Sequence, residues 1–311
     1  MAKDRRSTYA SLLAVQLLFG LFPVAVKKVL HGDGYFPALA PLHLLAVRVA
    51  GAAAVLVAVH PVLVRNPLPV VREFPRLALL TMLGVVLNMG LFLVGLAKTT
   101  AVEAVLVITT IPVFTYALAV LLGRESIGPR RAAGIALAMA GVVYLVYGSY
   151  RADAAGPEHA LGDVLILTNA LFFSAFLVLA KPVMDRFDPL SVTAWMFALG
   201  AILVLPGAIA TGLPADAADL TLESALWLAF IVAGPSVLTY LLNARALRHV
   251  HASTVAAFTY VQPIFAAVAA YLVLGQELEG RVLPAAALVF AGLWFVARRD
   301  PKVLEGDVVA E

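Results

Sequence analysis

Cysteine is absent from this sequence of 311 residues, and charged side chains are scarce. The absence of cysteine excludes disulfide bonds and thiolate ligands to a metal. Only 13% of the residues are Asp, Glu, Lys or Arg, whereas a soluble domain has about 25%. Because 62% of the residues are hydrophobic, the chain cannot cover its surface with polar groups, and we expect it to lie in a lipid bilayer.

Motifs that would indicate a soluble enzyme or an ATP-driven pump are also missing. The chain has no phosphate-binding loop, no nucleophile elbow and no His-Glu-x-x-His motif. Its lysines and arginines lie in short clusters between apolar runs, which argues against nucleic acid as a partner. We predict a protein that is not an enzyme and has no cofactor. Its expected partners are the lipid bilayer and a small-molecule solute.

Apolar runs of the length that crosses a bilayer, about 20 residues, recur along the chain. They predict an all-α membrane protein with ten transmembrane helices. The approximate spans are 8–28, 39–61, 75–97, 101–123, 130–150, 161–182, 189–211, 222–244, 252–274 and 282–298. Lys27 and Lys28 follow the first run, where a signal peptide would have small residues for cleavage, so we interpret this run as an uncleaved helix.

The positive charges fit an orientation with both termini in the cytoplasm. With the N-terminus inside, the outer segments hold only Lys27, Lys28, Lys98, Arg151 and Arg281. One arginine lies within the second helix, and the other positive residues all fall in cytoplasmic segments. This asymmetry follows the positive-inside rule and predicts a multi-pass protein of the bacterial inner membrane.

The second half of the chain repeats the first at an offset of 151 residues. Pro112 pairs with Pro263 at this offset, and Gly141 pairs with Gly292. Each half would contain five helices, an odd number, so the second copy would enter the membrane from the opposite side. Inverted repeats of this kind are the usual architecture of secondary transporters, with the substrate near the midplane.

The repeat also predicts the division of the chain. We expect a first five-helix repeat over 1–153, a second, inverted repeat over 154–300, and a polar cytoplasmic tail over 301–311. The two repeats would together form one integral membrane domain.

Paired motifs in the two halves resemble those of a known family. "IPVF…LLGRE" lies in the first half and "QPIF…LVLGQE" in the second, each followed by a helix with Ala-Gly-Val or Ala-Gly-Leu. The chain is similar to the EamA-type branch of the drug/metabolite transporter superfamily. Its first helix carries "FGLFPVAVK", with Phe19 where tryptophan is common in the family. The resemblance implies export of amino acids or other metabolites, because that branch includes such exporters.

Pro112 and Pro263 interrupt the predicted fourth and ninth helices. A proline removes a helical hydrogen bond, and an unpaired carbonyl in lipid needs a side chain, water or a cavity. The two breaks could be packing kinks, in which threonine hydroxyls satisfy the freed carbonyl groups. Alternatively, the helices could bend around a central cavity, and the matched positions of the prolines in the repeat favour this second interpretation. Polar and aromatic residues at membrane depth then become candidates for substrate binding. The candidates are Gln16, Phe19, Asn88, Thr109, Pro112, Tyr116, Asn169, Phe173, Tyr240, Asn243, Tyr260, Gln262 and Pro263.

Several charged or titratable residues have more than one interpretation. Thr100 and Glu103 fit a capping box at the start of the fourth helix, which we favour over proton coupling by Glu103. Arg48, inside the second helix, could bind carbonyl groups at a helix end or act as a gate. His249 and His251 have no carboxylate beside them in the sequence, so we predict no metal site.

The residues and the resemblance together predict a secondary transporter. It would export small neutral or zwitterionic solutes, such as amino acids, by alternating access through a central cavity between the repeats. A membrane enzyme acting on a lipid-linked substrate is an alternative, which would need paired acidic residues or a metal cluster. The acidic cluster Asp216, Asp219 and Glu223 is explained more simply as an outside loop. A passive channel is the other alternative, although no helix carries a repeated polar stripe.

Overall fold

The structure is a computed structural model, and it describes residues 2–31, 40–64, 70–123, 129–151, 156–212, 222–275, 280 and 282–297. Predicted features that lie outside these residues are the tail over 301–311, Glu125, Glu277, Asp216, Asp219 and Arg281.

All regular secondary structure in the described residues is helical, and we number the helical segments in chain order. In the first half, α1 is Ala2–His31, α2 is Pro41–Leu63, α3 joins Val70–Thr81, Met82–Val86 and Leu87–Lys98, α4 joins Ala101–Ile108 and Ile111–Leu121, and α5 is Pro129–Arg151. In the second half, α6 is Gly156–Arg186, α7 is Pro189–Ala210, α8 joins Leu222–Ile231, Val232–Leu238 and Thr239–His249, α9 joins Ala252–Ala257, Phe258–Val261 and Gln262–Leu274, and α10 is Val282–Ala297.

Eight of these segments are long and apolar enough to cross a membrane, as expected for a multi-pass membrane protein. They are Ser7–Val29, Pro41–Leu63, Arg72–Lys98, Ala101–Leu121, Pro157–Arg186, Pro189–Ala210, Ala225–His249 and Ala252–Leu274. The segments α5 and α10 coincide with the predicted spans 130–150 and 282–298 but are not among the eight. Helix α10 is 16 residues long, shorter than the roughly 20 residues that a span needs. The count of ten spans therefore stays a prediction.

Helices α5 and α10 pack directly against each other. Their contact lies at Gly141 and Gly292, the pair related by the sequence repeat. A Cβ atom on Gly141 would lie 2.9 Å from the backbone oxygen of Ala285, and one on Gly292 would clash with the backbone of Gly134 and Ala138. Small residues allow helices in membranes to approach this closely.

Two helices contain a π-helical turn at matching positions in the two halves. In α3 the turn is Met82–Val86, and in α8 it is Val232–Leu238. The turn in α8 includes Pro235, which has no backbone N–H to donate to an α-helical ladder. π-Helical turns of this kind are frequent at functional sites.

Helices α4 and α9 are both interrupted, as the prolines predict. In α4 the two parts are separated by Thr109 and Thr110, and Pro112 lies in the first turn of the second part. In α9 a short 3₁₀ segment precedes a final part in which Pro263 lies in the first turn. Proline is well tolerated there, because the first N–H groups of a helix have no partner within it.

Candidate substrate cavity

A cavity lies in the interior of the helical bundle, between segments from both halves of the chain. The empty space between its walls, including the part that opens to solvent, is about 630 Å³. The lining residues are Gln16, Phe19 and Phe22 of α1, Arg48 of α2, Asn88, Met89 and Phe92 of α3, Ile108 and Ile111 of α4, Asn169, Phe173 and Leu177 of α6, Tyr240 and Asn243 of α8, and Val255, Ala256, Thr259 and Gln262 of α9. Amide and aromatic side chains therefore provide most of its polar and bulky groups.

Eight of the thirteen residues predicted for substrate binding line this cavity. They are Gln16, Phe19, Asn88, Asn169, Phe173, Tyr240, Asn243 and Gln262. The other five do not line it, namely Thr109, Pro112, Tyr116, Tyr260 and Pro263. Residues on the walls that were not among the candidates include Arg48, Phe22, Phe92 and Thr259. Phe22 and Phe92 are aromatic residues within apolar runs, a signal too common to separate cavity walls from packing.

The two helix breaks border the cavity without exposing the prolines to it. Ile108 and Ile111 line the cavity on either side of the break in α4. The hydroxyl of Thr109 donates a 2.5 Å hydrogen bond to the carbonyl of Leu106, and Thr110 donates to Val107 at 2.7 Å. These threonines thus bond to their own helix, which is the arrangement expected of a packing kink.

The amide and phenol groups of the wall form hydrogen bonds between the two halves. Asn169 Nδ2 donates to the carbonyl of Asn88 at 2.6 Å, and the Tyr240 hydroxyl lies 3.3 Å from Asn88 Oδ1. The same hydroxyl donates to the carbonyl of Gly84, within the π-helical turn of α3. Gln262 Nε2 lies 3.3 Å from the carbonyl of Phe19 and links α9 to α1. These bonds fix the positions of the polar groups in the wall.

Arg48 brings a buried positive charge to the cavity wall. Its side chain is 2% exposed. Its Nε donates to the hydroxyl of Ser236, in the π-helical turn of α8, at 3.2 Å. The guanidinium carbon lies 4.2 Å from the centre of the Phe22 ring, a cation–π geometry. The described contacts of Arg48 are to a hydroxyl and a ring, and not to carbonyl groups at a helix end. A role in gating stays a prediction.

A second polar cluster joins α3, α4 and α6 away from the cavity. Thr99 donates to Asp163 at 2.6 Å, and the imidazole of His159 is bonded to the Glu103 carboxylate. The backbone N–H of Glu103 donates to the Thr100 hydroxyl at 3.1 Å, so the predicted N-cap is confirmed. The Glu103 carboxylate also lies 3.1 Å from the Thr99 hydroxyl and contacts the histidine. The expected role of Glu103 as a cap alone was therefore incomplete.

The same cluster contains groups that a metal ion could use. One ligand atom each from Glu103, His159 and Asp163 lies within 4.8 Å of the others. The sequence predicted no metal site, and His249 and His251, its closest pair of histidines, are not part of this group. Glu103 is 56 residues from His159 and 60 from Asp163, and these side chains meet only because α6 packs against α4. The hydrogen bond between His159 and the Glu103 carboxylate offers another explanation, in which the cluster holds the helices together without a metal ion.

Comparison with known proteins identifies the family. The sequence model of the EamA-like transporter family matches residues 6–147 and again residues 160–298. The chain is 26% identical to a "Probable terminal-alkyne amino-acid exporter" of Streptantibioticus cattleyicolor, over 96% of this chain and 95% of that protein. It is 27% identical to an "Uncharacterized transporter" of Archaeoglobus fulgidus, over 73% of this chain and 78% of that protein.

The fold is also found among solved structures. One crystal structure superimposes with a TM-score of 0.65 at 19% sequence identity, over 94% of this chain and 98% of that chain. This likeness concerns the arrangement of the helices. The family match covers both halves of the sequence and most of its length, and the chain therefore belongs to the EamA-like transporter family.

Proposed function

We propose that the chain is a secondary transporter that exports small neutral or zwitterionic metabolites, in particular amino acids. It works by alternating access through the cavity between its two halves. The observation that carries this proposal is the cavity itself, whose walls come from α1 to α4 in the first half and from α6, α8 and α9 in the second. A site enclosed by both halves can open to either side of the membrane when one half moves against the other.

The proposal includes ten membrane-spanning helices arranged as two inverted repeats, over 1–153 and 154–300. The double match of the family model supports the repeat. The π-helical turns of α3 and α8 and the interruptions of α4 and α9 lie at corresponding positions and support it as well. Both termini face the cytoplasm of a bacterial cell in this arrangement, in agreement with the distribution of lysine and arginine.

The character of the cavity supports small amino acids over larger or multiply charged solutes. Five amide side chains line it, and among the lining residues that the structure describes only Arg48 is charged. A phosphorylated sugar or a nucleotide would need several lysine or arginine side chains there. A relative that covers nearly the whole chain is named as an amino-acid exporter, which also favours this class.

One observation favours a membrane enzyme as the second candidate. The group of Glu103, His159 and Asp163 provides the paired acidic residues that such an enzyme would need. The group does not line the cavity, however, and its two carboxylates are buried where three helices meet. A passive channel has no comparable observation in its favour.

Counterflow in liposomes separates these functions. Purified protein is reconstituted into vesicles loaded with an unlabelled amino acid, and uptake of the labelled amino acid is followed. A carrier accumulates label transiently because unlabelled internal substrate occupies the inward-facing site, returns with the carrier and competes with the exit of label that has entered. A channel or an enzyme gives no such accumulation, and that result for every amino acid tested would contradict the proposed function.

A further inference from the structure

Arg48 is held by two of its neighbours in a way that leaves part of its guanidinium available. Ser236 accepts from Nε, and the guanidinium carbon lies over the Phe22 ring. The terminal nitrogen Nη1 is buried and has no hydrogen-bond partner among the described residues. This nitrogen belongs to a side chain that lines the cavity.

A buried arginine without a counter-charge needs an explanation. An arginine stays protonated in proteins, and a buried charge is costly unless it is paired. The described lining of the cavity contains no aspartate or glutamate. The missing negative charge can therefore come from the solute. A carboxylate suits this role, because guanidinium N–H groups match its two oxygens in a planar arrangement.

The rest of the wall offers acceptors that also have no partner. Gln16 Oε1 and Asn243 Oδ1 are buried without a hydrogen bond among the described residues. Both side chains line the cavity. An ammonium group has three N–H donors and no acceptor, so it complements two free amide oxygens. The cavity thus combines an unsatisfied cationic donor with unsatisfied neutral acceptors.

The other polar side chains of the wall largely bond to backbone carbonyls: Asn169 to Asn88, Tyr240 to Gly84, Thr259 to Ala256 and Gln262 to Phe19. Much of the rest of the wall is apolar. Phe19, Ile108, Ile111 and Leu177 contribute hydrophobic surface to the same cavity. A solute that buries an apolar side chain there gains binding energy from the removal of that surface from water. The site would not provide a partner for a second charged group.

We propose that Arg48 binds the carboxylate of the transported solute, that Gln16 and Asn243 accept from its ammonium group, and that the solute is an α-amino acid with an apolar side chain. This inference rests on the proposed function and makes it more specific. It predicts that the transporter rejects the amide and the amine of the same amino acid, since both lack a carboxylate.

The position of Arg48 is set by the helix contact behind it. One turn further along α2, a Cβ atom on Gly51 would lie 3.0 Å from a methyl group of Val232, so α2 lies close against the π-helical turn of α8. That turn also presents the Ser236 hydroxyl to Arg48. Ser236 is therefore a positioning residue, which orients the guanidinium without touching the solute.

Binding is tested with matched sets of ligands on the purified full-length protein. Leucine, methionine and phenylalanine are each compared with the corresponding amino-acid amide and with the deaminated carboxylic acid. Wild type should bind each amino acid about 30-fold or more tightly than its amide, because the amide leaves the buried guanidinium unpaired. The deaminated acid should bind with intermediate affinity, since it keeps the bond to Arg48.

The variants Arg48→Gln and Arg48→Lys test whether Arg48 causes the preference for an amino acid over its amide. Arg48→Gln should lose the preference for the acid over the amide, whereas Arg48→Lys should keep part of it through its charge. Arg248→Gln removes an exposed arginine near the end of α8 and serves as the matched control. Melting temperatures show whether each variant is folded. If a variant does not fold, the comparison of amino acid with amide in wild type still tests the proposal.

The outcomes separate this inference from the proposed function. Equal binding of amino acids and their amides by wild type would overturn the role of Arg48, as would unchanged selectivity in a folded Arg48→Gln. Failure of wild type to bind any of the amino acids and deaminated acids would overturn it as well. If wild type binds amino acids through Arg48 but shows no counterflow, the proposed transport is wrong and the carboxylate site stands.

Discussion

The hydroxyl of Tyr240 lies 3.3 Å from the side-chain oxygen of Asn88, and the two residues are 152 positions apart in the chain. Each follows a π-helical turn, Tyr240 in α8 and Asn88 in α3. Their separation is close to the offset of the sequence repeat. The pair therefore joins corresponding points of the two halves at the wall of the cavity.

Removal of the Tyr240 hydroxyl should weaken this connection. In Tyr240→Phe the buried carbonyl of Gly84 loses its donor, and we expect a loss of about 1 to 3 kcal/mol in the free energy of unfolding. Thermal unfolding in detergent measures the change. Tyr271→Phe is the control, because Tyr271 is 66% exposed. The melting temperature of this variant should equal that of wild type. An unchanged melting temperature of Tyr240→Phe would show that the contact contributes nothing.

The Glu103 carboxylate should matter to stability more than to transport. Glu103 is 1% exposed, is bonded to His159 and lies 3.1 Å from the Thr99 hydroxyl, but it does not line the cavity. We expect Glu103→Gln to lower the free energy of unfolding by about 1 to 3 kcal/mol while most transport and any pH dependence persist. Melting curves and counterflow at several pH values test this. Loss of pH-dependent transport in a folded variant would instead identify Glu103 as a coupling residue.

Thr100→Ala separates the cap from the carboxylate. The substitution removes the hydroxyl that accepts from the backbone of Glu103, and it leaves the carboxylate and its partners in place. The expected loss in the free energy of unfolding is about 1 kcal/mol, the usual contribution of an N-cap. An unchanged melting temperature of Thr100→Ala would show that the cap contributes nothing to stability.

The sequence predicted the features that depend on local pattern. Hydrophobic runs of spanning length predicted the eight long apolar helices, and two prolines predicted the interruptions of α4 and α9. Amides within apolar runs predicted much of the cavity wall, because a polar side chain in a membrane helix tends to face the protein interior. Asn169 and Asn243 are examples.

Contacts between distant helices could not be read from local pattern. Arg48 and Ser236 are 188 positions apart, and the bond depends on how α2 packs against a π-helical turn. Glu103 and His159 meet only when α6 contacts α4. Thr109 was expected to face the solute because it lies near a proline. Its hydroxyl donates instead to the carbonyl of Leu106 in its own helix.

The predicted orientation can be tested independently of transport. We expect both termini in the cytoplasm, because lysine and arginine are concentrated in the segments assigned to that side. A reporter enzyme that is active only in the periplasm, fused after Glu311, should be silent, and a cytoplasmic reporter at the same place should be active. The opposite pattern would mean that the number of membrane crossings is odd or that the whole chain is inverted.

The two prolines should be required for transport and not for stability. Pro112 and Pro263 each lie in the first turn of the second part of a broken helix. Alanine at either position supplies a backbone N–H that can bond one turn back and join the two parts into a straighter helix. The melting temperature of each variant should then be equal to or higher than that of wild type. Ile108, Ile111 and Thr259 would shift with the straightened helix and change the shape of the cavity.

Counterflow by Pro112→Ala and Pro263→Ala should fall by roughly 10- to 100-fold, as expected when groups at a site are displaced by about 1 Å. The effect should appear in both variants, because alternating access requires the cavity walls of both halves to rearrange during each transport cycle. Pro129→Ala is the matched control, since Pro129 begins α5 and is exposed. Wild-type counterflow in both test variants would mean that the breaks serve packing alone, as the hydrogen bonds of Thr109 and Thr110 to their own helix allow. The amide and arginine groups of the cavity would then bind the solute without any contribution from the bends.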